Sequence, residues 1–343
     1  MAHDDPKIKK SRAGNGQVLP GMALTELRSF RDSRKGVDPG PFCYRYRLED
    51  QDLEKSIRRC GILNPLVARR EKGAIRMIAG HKRLHAACRL GMKQVPVIFI
   101  EKKISDPDAF QISLVSNWKQ EISDMDRVVA IRKAIQDFRF RPERVRDTLL
   151  PLLGLPAEES FLEYYRKADA LEDEIKNLLD RRQIPFKSCA LLLRFSPADQ
   201  KAFARFLDRR AHLTSSQCLQ SLEWLGDIVK RDETTLRDIL RLKSFRAISE
   251  AKSLDPRQRG DLFLAEVRQR RFPGLTAFLK DFSTRSRKIT SRAKNLRIEP
   301  VASFEEPGIE LHARLRNAAD VDGILKLLSG SVQELNALLS SVF

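Results

Sequence analysis

The chain has 343 residues, of which 42% are hydrophobic and 32% are charged. This length is enough for two or three domains, and a chain with this apolar content is not expected to be disordered throughout. No uncharged apolar run is long enough to cross a bilayer, so we expect no membrane segment. The 64 Lys and Arg residues against 46 Asp and Glu give a net charge of +18. A balance this basic favours a polyanionic partner, and nucleic acid is the commonest one.

The cysteines and the N-terminus indicate the compartment. Five cysteines lie far apart without any CxxC spacing, and an odd number fits poorly with a disulfide framework. The first residues, MAHDDPKIKKSRAGNG, lack the apolar stretch of a signal peptide. We therefore expect an intracellular, cytoplasmic protein with reduced thiols.

The chain begins with an arm and continues into a mixed segment. Residues 1–41 are polar and interrupted by Gly and Pro, which predicts a flexible arm with order beginning near Phe42. Next, LEDQDLEKSIRRCG is a helix closed by Gly61, PLVARR and AIRMIAG are strands, HKRLHAACRLG is a helix closed by Gly91, and VPVIFIE is a buried strand. These patterns predict an α+β domain over residues 42–123.

Two stretches of this domain resemble the N-terminal domain of ParB-type partition proteins, which has a ParB/sulfiredoxin-like fold. They are LEKSIRRCGILNPLVARR and IRMIAGHKRLHAACRLGMKQVPVIFI, in which Gly80-His81-Lys82-Arg83 stands where the family has a Gly-Glu-Arg-Arg box. A glycine that ends a strand, followed by a helix that opens with two cations, also suits a phosphate on physical grounds. The resemblance implies a pocket for CTP and magnesium, with Asn117 as the magnesium ligand. The implied nucleotide-binding residues are Gly61, Asn64, Pro65, Gly80, His81, Lys82, Arg83, His85, Asn117, Lys119 and Gln120.

Both family carboxylates of this pocket are replaced. His81 stands in place of the glutamate of the first box, and Ser116 stands in place of the acidic residue of a later Glu-Asn motif. Because a hard cation prefers carboxylate oxygens, we expect hydrolysis to be weak or absent and assign no catalytic residue. The alternative for the loop is that Gly80 is a helix-entry turn beside an exposed basic face without a ligand.

The middle of the chain is helical, and residues 124–228 are the predicted DNA-binding domain. Within it, the stretch from Phe138 to Trp224 resembles the DNA-binding domain of the same family. RVRDTLLPLLG predicts a first helix, LPAEE a tight turn and SFLEYYRKADAL a second helix. This order is typical of a helix-turn-helix, in which the second helix enters the major groove. Pro151 is expected to kink the first helix or end it early.

The polar face of the second helix is the predicted DNA reader. We expect it to contact base edges and phosphates, with flanking cations on phosphates. The predicted DNA-binding residues are Arg144, Arg146, Ser160, Tyr164, Lys167, Arg181, Arg182 and Lys187. Glu158 and Glu159 stand where the family usually carries basic or hydroxyl residues, so the target sequence is expected to differ from the usual site. The alternative for each arginine is a solvated surface charge.

The last third of the chain combines helices, a basic stretch and a small module. Residues 229–282 predict additional helices without an assigned role. Residues 268–297 contain ten Lys and Arg but only one Asp. The polar segment 283–295 predicts a basic linker along phosphates or, alternatively, a solvated spacer. Over residues 296–343, two strands and two short helices form a ββα(α) module that resembles the family's dimerisation unit. It is too small to bury its apolar face alone, so we expect a homodimer.

These predictions describe an α+β chain with a small N-terminal domain, an all-helical helix-turn-helix middle and a dimerisation module. The function they favour is that of a ParB-like, site-specific DNA-binding protein in plasmid or chromosome partition, regulated by CTP and associated with the nucleoid. Its expected partners are double-stranded DNA, a second copy of the chain and a ParA-type ATPase. One alternative is a transcription or nucleoid-occlusion regulator with the same fold. Another is a phosphate-handling enzyme, because the N-terminal domain also resembles sulfiredoxin and a free-serine kinase.

Overall fold

The computed structural model of this chain describes most of its residues. The described ranges are 22–27, 31–32, 36–37, 40–71, 74–116, 122–208, 211–251, 253–291, 293, 295–301 and 308–341. They form two compact units that divide between Leu222 and Glu223. Within these ranges, no helix combines the length and the apolar character needed to cross a membrane.

The first unit begins with an α+β domain built on a four-stranded sheet in the order β1-β6-β4-β5. Strands β4 and β6 are parallel, whereas β1 with β6 and β4 with β5 are antiparallel. The strands are β1 (Met22–Glu26), β4 (Leu66–Glu71), β5 (Ala74–Ala79) and β6 (Gln94–Phe99), and a separate pair is formed by β2 (Arg31–Asp32) and β3 (Gly36–Val37). The helices of the domain are α1 (Gln51–Cys60), α2 (His81–Arg89) and α3 (Asp106–Val115).

The apolar positions of these strands and helices form the core of the domain. Leu66, Val95 and Val97 of the sheet are fully buried and pack with Leu84 of α2. Gly61 ends α1 at a backbone φ of +71°, a conformation that favours glycine, and its N–H bonds the carbonyl of Ile57. The predicted strands, helices and closing glycine are confirmed, as is the mixed α+β class of a mostly helical chain.

Strand β1 corrects the prediction for the N-terminal arm. It lies within residues 1–41, which the sequence predicts to be flexible, yet it pairs with β6 from Met22 opposite Ile98 to Glu26 opposite Gln94. The pairing gives partners to backbone groups of β6 that would otherwise lie at an open edge. Leu27, just after β1, is 3% exposed and belongs to the core. The expected start of order at Phe42 is therefore wrong, and residues 1–21 lie outside the described residues.

The remainder of the first unit is helical. Its helices are α4 (Asp124–Gln136), α5 (Pro142–Arg144), α6 (Leu150–Leu152), α7 (Glu159–Asp169), α8 (Asp173–Asp180), α9 (Cys189–Leu192) and α10 (Pro197–Leu207), and α11 (Ser215–Arg231) continues into the second unit. A π-helical turn, Val145–Leu149, joins α5 to α6. Pro151 has no N–H for the helix ladder, and the helix ends one residue later. Gly154 has a backbone φ of +71°, and the first helix ends just before this glycine.

Stacked aromatic rings join the α+β domain to the helices that follow. Phe138, just after α4, stacks on Phe110 of α3 with the ring centroids 4.4 Å apart, and it also stacks on Phe42 at 5.8 Å. Phe140 meets the edge of Phe110. Ser113 adds a buried hydrogen bond from its hydroxyl to the carbonyl of Phe42. These contacts hold α4, the first helix after the α+β domain, against that domain.

The second unit contains four helices, a hairpin and two final helices. Its elements after α11 are α12 (Leu236–Arg241), α13 (Lys243–Glu250), α14 (Pro256–Arg271), α15 (Pro273–Thr290), β7 (Leu296–Pro300), β8 (Ile309–Ala313), α16 (Ala318–Gly330) and α17 (Val332–Ser340). Phe245 of α13 and Phe263 of α14 are fully buried and meet edge to face. Strands β7 and β8 form an antiparallel pair. The predicted hairpin followed by two helices is confirmed.

Helix α15 corrects the prediction of a basic linker. Residues 283–290 of the predicted linker are helical, and Phe282 and Ile289 on one face of α15 are buried with Ile298 of β7 and Leu338 of α17. Two apolar residues seven positions apart lie on the same helical face. This short apolar stripe is enough to pack α15 against β7 and α17, which cover it. Composition alone missed this because the partners lie later in the chain.

Candidate nucleotide pocket and nucleic-acid interface

The predicted phosphate loop opens helix α2. Gly80 precedes α2 with a backbone φ of +97°, and its carbonyl accepts the N–H of Leu84. A Cβ added at Gly80 would come within 3.3 Å of the Leu66 side chain, so the site requires glycine in both conformation and space. The first amides of α2 and the positive end of its dipole are directed at the same point, which favours an anion.

Arg83 connects the two predicted nucleotide motifs. Its guanidinium donates one hydrogen bond to the carbonyl of Asn64 and another, 2.8 Å long, to the carbonyl of Pro65. Burial lowers the pKa of this arginine. Both hydrogen bonds come from Nη1 of Arg83 and hold the turn that contains Asn64 and Pro65 against α2. This residue positions the pocket wall, a role that the sequence pattern did not indicate.

Lys82 lies among charged side chains from several elements. Its ammonium is 3.3 Å from Asp50, whose other carboxylate oxygen accepts the N–H of Leu53 and caps α1. Pockets for drug-sized ligands have volumes of about 300–1,000 Å³. The cavity beside Lys82 is smaller, with a volume of ≈ 220 Å³. Its lining contains three cations and three carboxylates, namely Arg47, Lys82, Arg182, Glu49, Asp126 and Asp180.

The described part of the pocket contains groups that suit a phosphate, beside the three carboxylates of its lining. The α2 N-terminus and Lys82 suit a phosphate, whereas no cluster of three or more His, Cys, Asp or Glu with metal-binding geometry occurs in the described ranges. His81 is 5% exposed and therefore packed within the domain, and His85 is half-buried. The remaining predicted nucleotide and magnesium ligands, Asn117, Lys119 and Gln120, lie outside the described residues.

A buried ion pair connects the pocket region to helix α4. Arg45 donates to Asp126 of α4 at 2.7 Å, with side-chain exposures of 5% and 7%. The other oxygen of Asp126 accepts the backbone N–H of Tyr46 at 2.8 Å. Burial raises the pKa of the nearby Asp180 carboxyl, and Arg47, which pairs with it at 2.9 Å, opposes that shift. Sequence reasoning missed these residues because the partners lie 81 and 133 positions apart.

Helix α7 presents only part of its predicted reading face to solvent. Leu162, Tyr165 and Ala168 are buried, as the helical spacing predicts. The hydroxyl of Tyr164 donates a 2.7 Å hydrogen bond to the carbonyl of Phe186, and the two rings meet edge to face. Burial raises the pKa of Tyr164 to about 12. The Tyr164 hydroxyl, which the sequence predicts at base edges, is therefore already hydrogen-bonded within the domain.

The other predicted reader side chains remain accessible. Lys167 and Ser160 are exposed on α7, and the Ser160 hydroxyl is 3.3 Å from the Glu158 carboxylate. Glu158 and Glu159 are themselves exposed at the start of the helix. Of the residues singled out from the sequence, the outer face of α7 and its start therefore expose one lysine, one hydroxyl and two carboxylates.

The flanking cations are held in different ways. Arg144 lies over the ring of Phe140 at 4.1 Å. Arg146 pairs with Asp147 at 2.7 Å, and this hydrogen bond raises the arginine pKa. Arg181 is 3.6 Å from Asp208. Arg182, with a backbone φ of +55°, and Lys187 are both exposed.

Charge over the helix-turn-helix is balanced rather than basic. Residues 139–169 contain six Lys and Arg and six Asp and Glu. Because the phosphate term in DNA affinity depends on cations, this segment by itself supplies little of it. The excess of +18 in the chain must lie elsewhere.

Comparison with known proteins identifies the first domain. Residues 37–118 match the family model of the ParB N-terminal domain. The chain is 26% identical over 164 residues to the chromosome-partitioning protein ParB of Myxococcus xanthus, which covers 45% of this chain and 54% of that protein. It is 24% identical over 218 residues to a probable chromosome-partitioning protein ParB of Coxiella burnetii, covering 58% and 72%. A nucleoid occlusion protein of Bacillus thuringiensis is 30% identical over 156 residues, covering 42% and 51%.

Two solved structures of a C-terminally truncated ParB from Caulobacter crescentus are also similar. The complex with CTP-gamma-S has 19% identity and a TM-score of 0.23, covering 54% of this chain and 97% of that chain. The complex with the centromeric parS site has 16% identity and a TM-score of 0.31, covering 63% and 95%.

These findings define the class of the protein. Residues 37–118 match the ParB N-terminal domain, and a helical segment follows them. The chain is similar to ParB-type partition proteins, and the resemblance predicted from the sequence is confirmed. It spans about half the length of the first curated relative that it matches, 54%.

Proposed function

We propose that this protein binds duplex DNA at a specific site and acts in plasmid or chromosome partition. The observation that carries the proposal is the combination of a ParB N-terminal domain with the exposed outer face of α7. Leu162, Tyr165 and Ala168 anchor α7 in the helical domain, so Lys167 and Ser160 project from a fixed helix. A rigid second helix with polar residues on its free face is the arrangement that reads a major groove.

CTP is the proposed ligand of the first domain. The support is the ParB match together with the Gly80 turn, the α2 N-terminus and Lys82. Arg83 would hold the Asn64 and Pro65 turn as the pocket wall. The chemistry of the donors points to phosphate binding, and weak or absent hydrolysis remains our expectation because His81 and Ser116 replace the family carboxylates.

A homodimer through the C-terminal module is part of the proposal. Val321 and Leu325 lie four residues apart on α16 and are 38% and 57% exposed, and Val332 at the start of α17 is 52% exposed. Leu311 of β8 is 46% exposed. Apolar side chains left uncovered by the packing of this module on α15 are suited to a second copy of the same module.

The test is selection of duplexes from a random pool by the full chain, followed by affinity measurements with and without CTP and magnesium. Lys167→Ala is expected to abolish preference for the selected site. Lys102→Ala, which removes an exposed lysine from the α+β domain, is the matched control and should retain that preference. The absence of any selected sequence would contradict the proposal.

Nucleoid occlusion or transcription regulation is the second candidate function. It is favoured by the similarity to nucleoid occlusion proteins. The two functions differ in their dependence on a ParA-type ATPase, the proposed motor partner in partition. Loss of a plasmid that carries the selected site, measured with and without this gene, distinguishes them. The names of the curated relatives favour either function over a sulfiredoxin-type enzyme.

A further inference from the structure

The first half of helix α7 is acidic. Residues 158–163 contain three glutamates and no Lys or Arg, whereas the two cations of the helix, Arg166 and Lys167, lie in its second half. In a helix-turn-helix, the N-terminal residues of the second helix are the ones that contact base edges. The end of α7 that is proposed to meet the bases therefore carries carboxylates rather than cations.

Two of these three glutamates already have partners within the helix. The carboxylate of Glu158 accepts the hydroxyl of Ser160 at 3.3 Å, and that of Glu163 accepts a 2.6 Å hydrogen bond from Arg166. Glu159 is exposed, and within the described ranges no basic side chain lies within 4.0 Å of its carboxylate. Of the three, the carboxylate of Glu159 is thus the one left for a donor outside the protein.

The first turn of α7 is held in place by the core beneath it. Leu162 is fully buried, and its N–H bonds the carbonyl of Glu158. Tyr165 is 5% exposed, and its hydroxyl donates a 2.7 Å hydrogen bond to Asp124 of α4. Because the backbone of this turn is fixed on α4, the Glu159 carboxylate is confined to the few positions that its own rotamers allow.

The base edges in the major groove differ in what they offer to a carboxylate. Guanine presents the acceptors N7 and O6, thymine presents the acceptor O4 and a methyl group, and adenine presents the N6 donor beside the N7 acceptor. Cytosine presents the N4 amino donor and no acceptor. An ionised carboxylate can only accept hydrogen bonds. It is therefore repelled by guanine and thymine, is only partly matched by adenine, and fits cytosine best.

We infer that Glu159 is a specificity-determining residue that selects a cytosine by accepting a hydrogen bond from its N4 amino group. The same negative charge is repelled by the phosphates of every duplex, so Glu159 lowers the affinity for DNA in general while it favours one base. This assignment rests on the proposed role of α7 as the DNA reader.

The experiment uses the duplex that the full chain selects from a random pool, with N4-methylcytosine in place of one cytosine at a time. The added methyl group takes the place of the N4 hydrogen that faces the major groove, and pairing with guanine is kept. At one position the unchanged chain should lose about 5- to 100-fold in affinity, the usual effect of a lost base contact. At that position Glu159→Ala should bind the methylated and unmethylated duplexes equally.

A scrambled duplex adds a second readout with the opposite sign. Glu159→Ala should bind it more tightly than the unchanged chain does, because a charge that phosphates repel has been removed. Loss of a phosphate-binding residue would weaken this binding instead, and weaker binding would contradict the assignment. Glu101→Ala removes the same side chain from an exposed position in the α+β domain and should change neither readout. Glu158→Ala should keep the effect of methylation.

Other outcomes separate the alternatives. If Glu159 only stabilises the positive end of the α7 dipole, Glu159→Ala lowers the melting temperature measured by circular dichroism without DNA but keeps the effect of methylation, and this result would overturn the inference. Dependence of the effect on Glu158 instead of Glu159 would overturn it as well. Failure of the proposed function gives a different result, because the unchanged chain then selects no sequence and both proposals fall together.

Discussion

Removal of the Asp126 carboxylate should destabilise the first unit more than removal of any exposed ion pair. Arg45 and Asp126 are joined at 2.7 Å with side-chain exposures of 5% and 7%. Asp126→Ala leaves the buried guanidinium without its carboxylate and the Tyr46 N–H without its acceptor. Breaking one side of a buried pair costs about 3–5 kcal/mol, because the remaining charge stays out of water.

Two further variants separate the charge effect from the packing effect. Arg45→Met with Asp126→Leu removes both charges and replaces them with apolar side chains, so the free energy of unfolding should return to within about 1 kcal/mol of the unchanged chain. Asp52→Ala is the exposed control, since its partner Lys55 is 73% and Asp52 itself 92% exposed. It should cost less than about 1 kcal/mol.

Urea denaturation followed by circular dichroism measures these differences, and hydrogen exchange of peptides from α4 locates them. If Asp126→Ala costs no more than Asp52→Ala, the buried pair does not hold the α+β domain to the helices that follow it. If the double variant is as unstable as Asp126→Ala, the loss comes from packing and the electrostatic reasoning is wrong.

Two other substitutions test local geometry. Tyr164→Phe should cost about 1 kcal/mol by removing the hydrogen bond to the Phe186 carbonyl. Because burial raises the pKa of Tyr164 from 10.0 to about 12, the folded state retains the phenol proton. Its stabilising contribution is present below pH 10 and is lost as pH rises through 12. Urea midpoints of Tyr164→Phe should fall less steeply with pH in that window than those of the unchanged chain, and parallel curves would contradict this. Gly80→Ala should cost about 1–3 kcal/mol because of its positive φ and the contact with Leu66, whereas Gly274→Ala in open space on α15 should not destabilise. Equal melting temperatures for these two glycine variants would count against the argument.

The first domain shows how far local patterns lead. Hydrophobic periodicity and the positions of glycines predict helix α1, which ends at Gly61, strands β4 and β5, and helix α2. Each of these signals depends on residues within a few positions of one another, so it can be read without knowledge of the fold. Strand β1 was missed for the complementary reason, since its pairing partner β6 lies more than sixty residues away.

In the candidate site, too, some features follow from local sequence and others depend on tertiary packing. The position of Gly80 at the opening of α2 and the burial of one face of α7 follow from spacing. The roles of Arg83 and Tyr164 do not follow from spacing. A guanidinium or a phenol donates to the carbonyl that tertiary packing places beside it, and local sequence does not specify that carbonyl. Asn64, Pro65 and Phe186 are such carbonyls, 18 to 22 positions away.

The sequence by itself determined that this chain is basic, mixed in structure and similar to ParB-type proteins, and it located most of the helices and strands. The tertiary structure decided which charged side chains are paired within the protein and which are not. It paired Lys82 with Asp50 and Arg45 with Asp126, and it covered the apolar stripe of α15 with β7 and α17. The physical reason is that helix and strand periodicity is a property of neighbouring residues. Neutralisation and burial of a side chain, by contrast, depend on segments that only the folded chain brings into contact.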